Sequence, residues 1–302
     1  PFILPHSTGR GKGGKRREER RGSLLPLPFC AAARIASMPF FTHRGLRLRY
    51  ECSGDGPPVL LLHGIGASAD DWDLQLPDLQ PGYTVLRLDL RGFGRSETAG
   101  WFSIADLATD CAAVLNGLRL GPAHVIGHSL GGAVALALAL ARPECVRSLT
   151  LANTFARWRP AGSATSGWRA IQRLALLLRR DLAGLNAFIA EGMFPGPTRV
   201  ALRETVRERL NANVRADTPQ VLWRTLAAIG RFDVRGRLGR IVAPTLVVIA
   251  GRDSTVAPAC SLELAEGIPL ARRLVLADAG HGLPMERPAV FNAAWRAFSA
   301  AH

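Results

Sequence analysis

Six short runs dominated by Val, Leu and Ile recur along the chain: VLLLHG, TVLRLDL, HVIGHS, VRSLTLAN, PTLVVIAGRD and RRLVLADAGH. Segments with helical spacing, such as IADLATDCAAVLNGL and LGGAVALALALA, lie between them. A strand that reads as a nearly continuous apolar run is buried on both faces, and strands alternating with helices are joined by crossovers. The alternation therefore restricts the chain to the α/β class, with a mostly parallel sheet covered by helices on both sides. Two further short strands, FFTHR and LRLRYEC, joined by a turn at Gly45, predict an opening hairpin.

The pattern breaks at Phe155. From there to about residue 235 no strand is expected; WRAIQRLALLLRRDLAGLNAFIAEGMF, TRVALRETVRERLNANV and TPQVLWRTLAAIGRFD place apolar residues at helical intervals with arginines between them. We expect a helical cap over 155–235, inserted between a first core segment, 38–154, and a second, 236–302. Residues 1–37 are set apart: a Gly/Arg-rich stretch is followed by a short apolar one interrupted by Pro26 and Pro28. They read as a poorly ordered or non-native extension rather than a signal peptide, and the expected location is cytoplasmic.

A net charge of +14 raises the question of nucleic acid, but the distribution argues against it. Residues 1–37 carry eight basic and two acidic side chains, and beyond Ser37 every basic Lys/Arg position is arginine, scattered and without interleaved aromatics. Five widely spaced cysteines show no CxxC or Cys/His pairing, which points away from a disulfide framework or zinc site. The longest uninterrupted apolar run, Ala133 to Ala141, falls far short of the roughly 20 residues needed to span a bilayer. Charge, cysteine spacing and apolar runs thus imply no nucleic-acid partner, disulfide framework, zinc site or membrane span.

Between the strand HVIGHS and the helix LGGAVALALALA stands Gly127-His128-Ser129-Leu130-Gly131. That strand–turn–helix context is what an exposed nucleophilic serine demands, and glycines flank it because the sharp turn brings neighbouring backbone close. A serine hydroxyl needs a general base. His128 is its immediate neighbour and points elsewhere, while His124 opens a strand, His43 lies in the hairpin and His63 belongs to an early glycine loop. His281, on a Gly-flanked loop after the last strand, remains. The base needs a carboxylate to hold its tautomer, and Asp253 ends the preceding strand, giving the chain order Ser129, Asp253, His281. Asp233 and Asp278 are weaker candidates, and Asn153, ending the strand before the cap, cannot serve as the acid. The loop in LLLHGIGAS places the backbone N–H of Ile65 where it can converge with that of Leu130 to form an oxyanion hole.

From about Met38 to its C-terminus the chain resembles an α/β-hydrolase in HGIGAS, DLRGFGRS, GHSLGG, GRDSTVAP and AGHGLPMERP. It looks similar to the esterase and lactonase group, with DWDLQLPDL and LTLANTFARW close to 3-oxoadipate enol-lactonases. The resemblance implies an eight-stranded sheet and a Ser-His-Asp hydrolase without metal or organic cofactor. Serine at the elbow, where relatives opening epoxides or removing halide have aspartate, and the lack of tyrosine after the elbow both argue against epoxide opening. Hydrolysis of small to medium carboxylic esters is the leading expectation. Enol-lactone opening comes second, carbon–carbon hydrolysis third, and a ligand receptor on the same scaffold is the alternative of a different class. The cap offers Phe155, Trp158, Trp168, Phe188, Met193, Phe194 and Trp223; Phe155, Trp158, Phe194 and Trp223 are placed in the substrate pocket. Arg157 and Arg159 are the candidates to hold a substrate carboxylate.

Overall fold

A computed structural model describes residues 39–159, 171–172, 174–194 and 199–302. The proposed leader and Trp168 lie outside the described residues. Eight strands form one sheet in the order β1-β2-β4-β3-β5-β6-β7-β8. They are β1 (Phe40–His43), β2 (Leu46–Ser53), β3 (Pro58–Leu62), β4 (Thr84–Leu88), β5 (Ala123–His128), β6 (Val146–Ala152), β7 (Thr245–Ala250) and β8 (Ala271–Leu276). The β1–β2 hairpin turns on Arg44 and Gly45, at φ 48° and 77°; two consecutive positive φ values match the right-handed twist of the strands they join. β2 pairs antiparallel with β4, and every later pairing is parallel.

Every residue of β4, β5 and β7 is buried, as sheathing by helices on both faces requires. Successive side chains leave opposite faces of a strand, and the core divides accordingly. Leu60 and Leu62 belong to one apolar layer together with α1 (Ile104–Gly117), α2 (Leu130–Ala141) and α6 (Pro258–Gly267). Val59 and Leu61 belong to the other, against Trp72 and the Phe291 and Trp295 side chains of α7 (Pro288–Ser299). α2 is apolar on every side because it lies wholly inside, with ten of its residues buried.

Between β6 and β7 the chain leaves the sheet as a helical insertion. Its described helices are α3 (Leu182–Met193), α4 (Val200–Ala212) and α5 (Thr218–Arg231). The excursion is pinched at its base by an antiparallel bridge between Arg157 and Asp233 and by Val234 N donating to Ala156 O at 3.0 Å. The long helical stretch expected over WRAIQRLALLLRRDLAGLNAFIAEGMF is broken in the structure. Arg180 takes φ 56°, and Asp181 caps α3 by accepting from Gly184 N at 2.8 Å, so a preceding helical turn stops and a new helix starts.

Candidate active site

Ser129 sits between β5 and α2 at φ 53° and ψ −116°, a conformation that a non-glycine residue adopts only when its surroundings enforce it. Four hydrogen bonds do so here. Ser129 N donates to Ala152 O at 3.0 Å, and Ser129 O accepts from Gly132 N at 3.0 Å, Ala133 N at 3.2 Å and Thr154 Oγ1 at 2.6 Å. The flanking glycines are needed for space: a Cβ at Gly127 would lie 2.4 Å from Gly131 O, and one at Gly131 would lie 2.1 Å from Leu62 O. Together these features push the hydroxyl out at the carboxyl edge of the sheet.

His281 and Asp253 meet it there. His281 Nε2 lies 3.0 Å from Ser129 Oγ, and His281 Nδ1 lies 2.7 Å from Asp253 Oδ2. The other carboxylate oxygen of Asp253 accepts from Thr255 N at 2.8 Å and Val256 N at 2.9 Å. Fixed on that side, the carboxylate accepts a hydrogen bond from Nδ1–H, which leaves the Nε2 lone pair facing the serine. All three residues are buried. The loop carrying the imidazole is held from three directions. His128 Nε2 donates to His281 O at 2.8 Å; burial, reinforced by the neighbouring His281, lowers the His128 pKa to about 3 and keeps it neutral. Asn153, in the left-handed region at φ 49°, donates through Nδ2 to His281 O at 2.8 Å and to Gly280 O at 3.2 Å, while its Oδ1 accepts from Ala250 N at 2.9 Å. Glu286, its side chain fully buried, accepts from Gly280 N at 2.7 Å and from Arg199 Nε of the insertion at 2.9 Å. Asn153 enters the sequence argument only as a residue unable to act as the acid. Its place at the end of a central strand, one step from the strand that leads into Ser129, is the signal that it supports the His281 loop.

The loop after β3 runs beside Ser129, since a Cβ at Gly64 would stand 3.6 Å from Ser129 Cβ. His63 fixes that loop: its Nε2 accepts from Leu90 N at 3.0 Å, which leaves Nδ1–H to donate to Gly64 O at 2.7 Å. Burial lowers the His63 pKa and keeps the ring neutral for this double role. Ile65 lines the cavity over Ser129, and Leu130 opens α2, where first-turn N–H groups have no helical acceptor. The rival carboxylates are engaged elsewhere: Asp233 pairs with Arg235 at 2.8 Å, and Asp278 pairs with Arg287.

A cavity of about 260 Å³ opens above Ser129 and His281. Its walls come from the Gly64–Ala67 loop, Phe93 and the insertion, which contributes Leu185, Ile189 and Met193 of α3, Val206 and Leu210 of α4, and Val221 and Leu222 of α5. Of the four aromatics expected in the pocket, only Trp158 lines it. Phe155 points down into the core against Phe232, with ring centroids 6.4 Å apart. Phe194 is fully buried between the insertion and the loop bearing His281, where a Cβ at Gly282 would strike its ring at 2.3 Å. Trp223 lies on the outward side of α5 and is 38% exposed. Aliphatic side chains take their places in the wall. Arg157 and Arg159 also turn away, toward Asp233 at 4.0 Å and Glu263 at 3.1 Å; Arg209 of α4 is the arginine in the wall. Among the described residues no cluster of three or more His, Cys, Asp or Glu side chains is placed to hold a metal, and no helix is long and apolar enough to cross a membrane.

Comparison with known proteins gives consistent likenesses. A family model described as alpha/beta hydrolase fold matches residues 57–288. The chain is 36% identical over 260 residues to "Putative carbamate hydrolase RutD" of Azorhizobium caulinodans, covering 84% of this chain and 96% of that relative. A crystal structure of a hydrolase from Pseudomonas aeruginosa PA01 matches with a TM-score of 0.77 at 32% identity, over 87% of this chain and 98% of the other. An enol-lactonase from Burkholderia xenovorans LB400 matches with a TM-score of 0.76 at 25% identity, over 87% and 100%.

Proposed function

The chain belongs to the alpha/beta hydrolase fold family, and we propose that it is a serine hydrolase cleaving small to medium carboxylic esters through an acyl-enzyme. The observation that carries this reading is the unbroken line from Ser129 Oγ through the His281 ring to Asp253, 3.0 Å and 2.7 Å long, at the foot of a mostly apolar cavity. In the first step Ser129 Oγ attacks the ester carbonyl while His281 Nε2 takes its proton. The Ile65 and Leu130 N–H groups hold the oxyanion, and Asp253 stabilises the imidazolium. Collapse expels the alcohol, which leaves with the proton from His281. Water, activated by the same imidazole, then releases the acid and restores Ser129. The helical insertion acts as a cap, and its aliphatic wall suits a hydrocarbon acyl or alcohol group.

Release of p-nitrophenol from acetate and butyrate esters tests the proposal. Ser129→Ala is expected to lower kcat by at least about 10⁴-fold, as loss of a nucleophile acting within a triad does. Slow release by the wild type, or release that survives Ser129→Ala, would refute it. The carbamate hydrolase name carried by the 36% identical relative favours one further reading, in which the same machinery attacks a carbamate carbonyl. A carbamate small enough to be all polar leaves the aliphatic wall without a partner, which is why the ester reading is preferred. Parallel assays of ammonia release from carbamate and of lactone opening distinguish the three.

A further inference from the structure

Two polar groups in the wall of the mostly apolar cavity have no counterpart in the proton relay. Asp71 belongs to the short turn Ala69–Trp72 that follows the oxyanion loop; it is half-buried and faces the cavity, and its carboxyl accepts no hydrogen bond from the described residues. Asn213, at the C-terminal end of α4, also lines the cavity, and its amide nitrogen is buried with no hydrogen-bond partner among the described residues. Arg209, one turn before Asn213, joins the two regions: its guanidinium donates to the Asp70 carbonyl and to Asp73 Oδ2 at 3.0 Å. That charge is therefore already met on the far side of the turn, which weakens it as an anchor for a substrate carboxylate. Burial pushes the Asp71 carboxyl up to about 7; Asp70, Asp73 and Asp89 add to the effect and Arg209 opposes it.

Unpaired polar groups inside an apolar cavity lower stability, and a ligand that supplies the missing partners removes that penalty on binding. The two groups ask for different things. Once ionised, above about pH 7, the Asp71 carboxylate asks for a donor, and the amide N–H of Asn213 asks for an acceptor. A carboxylate on the substrate cannot donate, and an ammonium cannot accept. A hydroxyl does both.

We propose that Asp71 is a specificity-determining residue that, with Asn213, receives a hydroxyl group carried on the acyl or alcohol half of the substrate, so that hydroxylated esters are preferred over unsubstituted and carboxylate-bearing ones. The proposal rests on the hydrolase reading above, which places the scissile carbonyl at Ser129. The test compares matched esters: p-nitrophenyl butyrate against its 3-hydroxybutyrate and monosuccinate analogues, and ethyl butyrate against 2-hydroxyethyl butyrate. In the wild type, kcat/KM for the hydroxylated member of at least one pair is expected to exceed that of its plain partner by about tenfold, and the succinate ester to fall below butyrate. Asp71→Leu brings the hydroxyl preference to near one, whereas Asp71→Asn keeps part of it because the amide still accepts. Where Asp71→Leu does not fold, Asn213→Ala carries the same comparison and lowers the preference severalfold. Dissociation constants of the same esters on Ser129→Ala, with and without Asp71→Leu, read the preference without turnover. Should no ester be hydrolysed, the hydrolase reading fails while those constants still judge Asp71. A wild-type ratio near one in both pairs, or a ratio unchanged in folded Asp71→Leu, overturns the proposal.

Discussion

At the scale of single residues, the candidate site depends on groups outside the line from Ser129 through His281 to Asp253. Asn153 ties the end of β7, through Ala250 N, to the carbonyls of Gly280 and His281, so the loop bearing His281 is referenced to the sheet itself. Replacing Asn153 by Ala removes these ties and lets the imidazole drift by a fraction of an ångström; a displacement of about 1 Å can cost on the order of 100-fold in rate. The expected outcome for Asn153→Ala is a 10- to 100-fold lower kcat with KM changed far less, read from steady-state kinetics on a p-nitrophenyl ester. An unaltered kcat would show that the loop holds itself. Ser129, Asp253 and His281 are legible in the text because each type carries its own chemistry and stands at a strand end. Asn153 is not, since an amide at such a place states what it cannot do long before it shows what it ties together.

At the scale of elements, the strand–turn–helix around Ser129 is written openly in the sequence, because glycine is the only residue that leaves room for Leu62 O and Gly131 O at their observed approach. The direction in which the insertion's side chains point is not. An aromatic at helical spacing fits a core as well as a pocket, and the packing partners decide: Phe232 claims Phe155, Gly282 makes room for Phe194, and the outward turn of α5 exposes Trp223. The cavity side of α5 belongs instead to Val221 and Leu222. Enlarging that wall with Leu222→Trp is expected to shorten the longest acyl chain accepted. The ratio of kcat/KM for p-nitrophenyl octanoate to that for acetate should drop by about tenfold or more, measured across a chain-length series. A flat series would place the acyl group elsewhere in the cavity.

At the scale of the whole molecule, the alternation of apolar runs and helices announces the doubly covered sheet, but it gives no hint of how the insertion attaches to it. The attachment runs through the loops that carry Asp253 and His281. Ser254 Oγ donates to Gly192 O at 3.0 Å and Gly282 N donates to Met193 O at 3.1 Å, so the last carbonyls of α3 are held by the neighbours of Asp253 and His281. Arg199, just before α4, reaches Glu286 across the same seam. Removing that guanidinium with Arg199→Met leaves a buried carboxylate short of one partner and is expected to lower stability by about 1–3 kcal/mol, seen as a lower Tm, and to reduce kcat through Gly280. A variant with unchanged Tm and kcat would show that the seam carries no weight. The seam also decides which margin can give: because the roof is bolted to the workbench beside Asp253 and His281, any lifting that admits a ligand is expected instead where α4 and α5 meet the loops bearing Gly66 and Gly92.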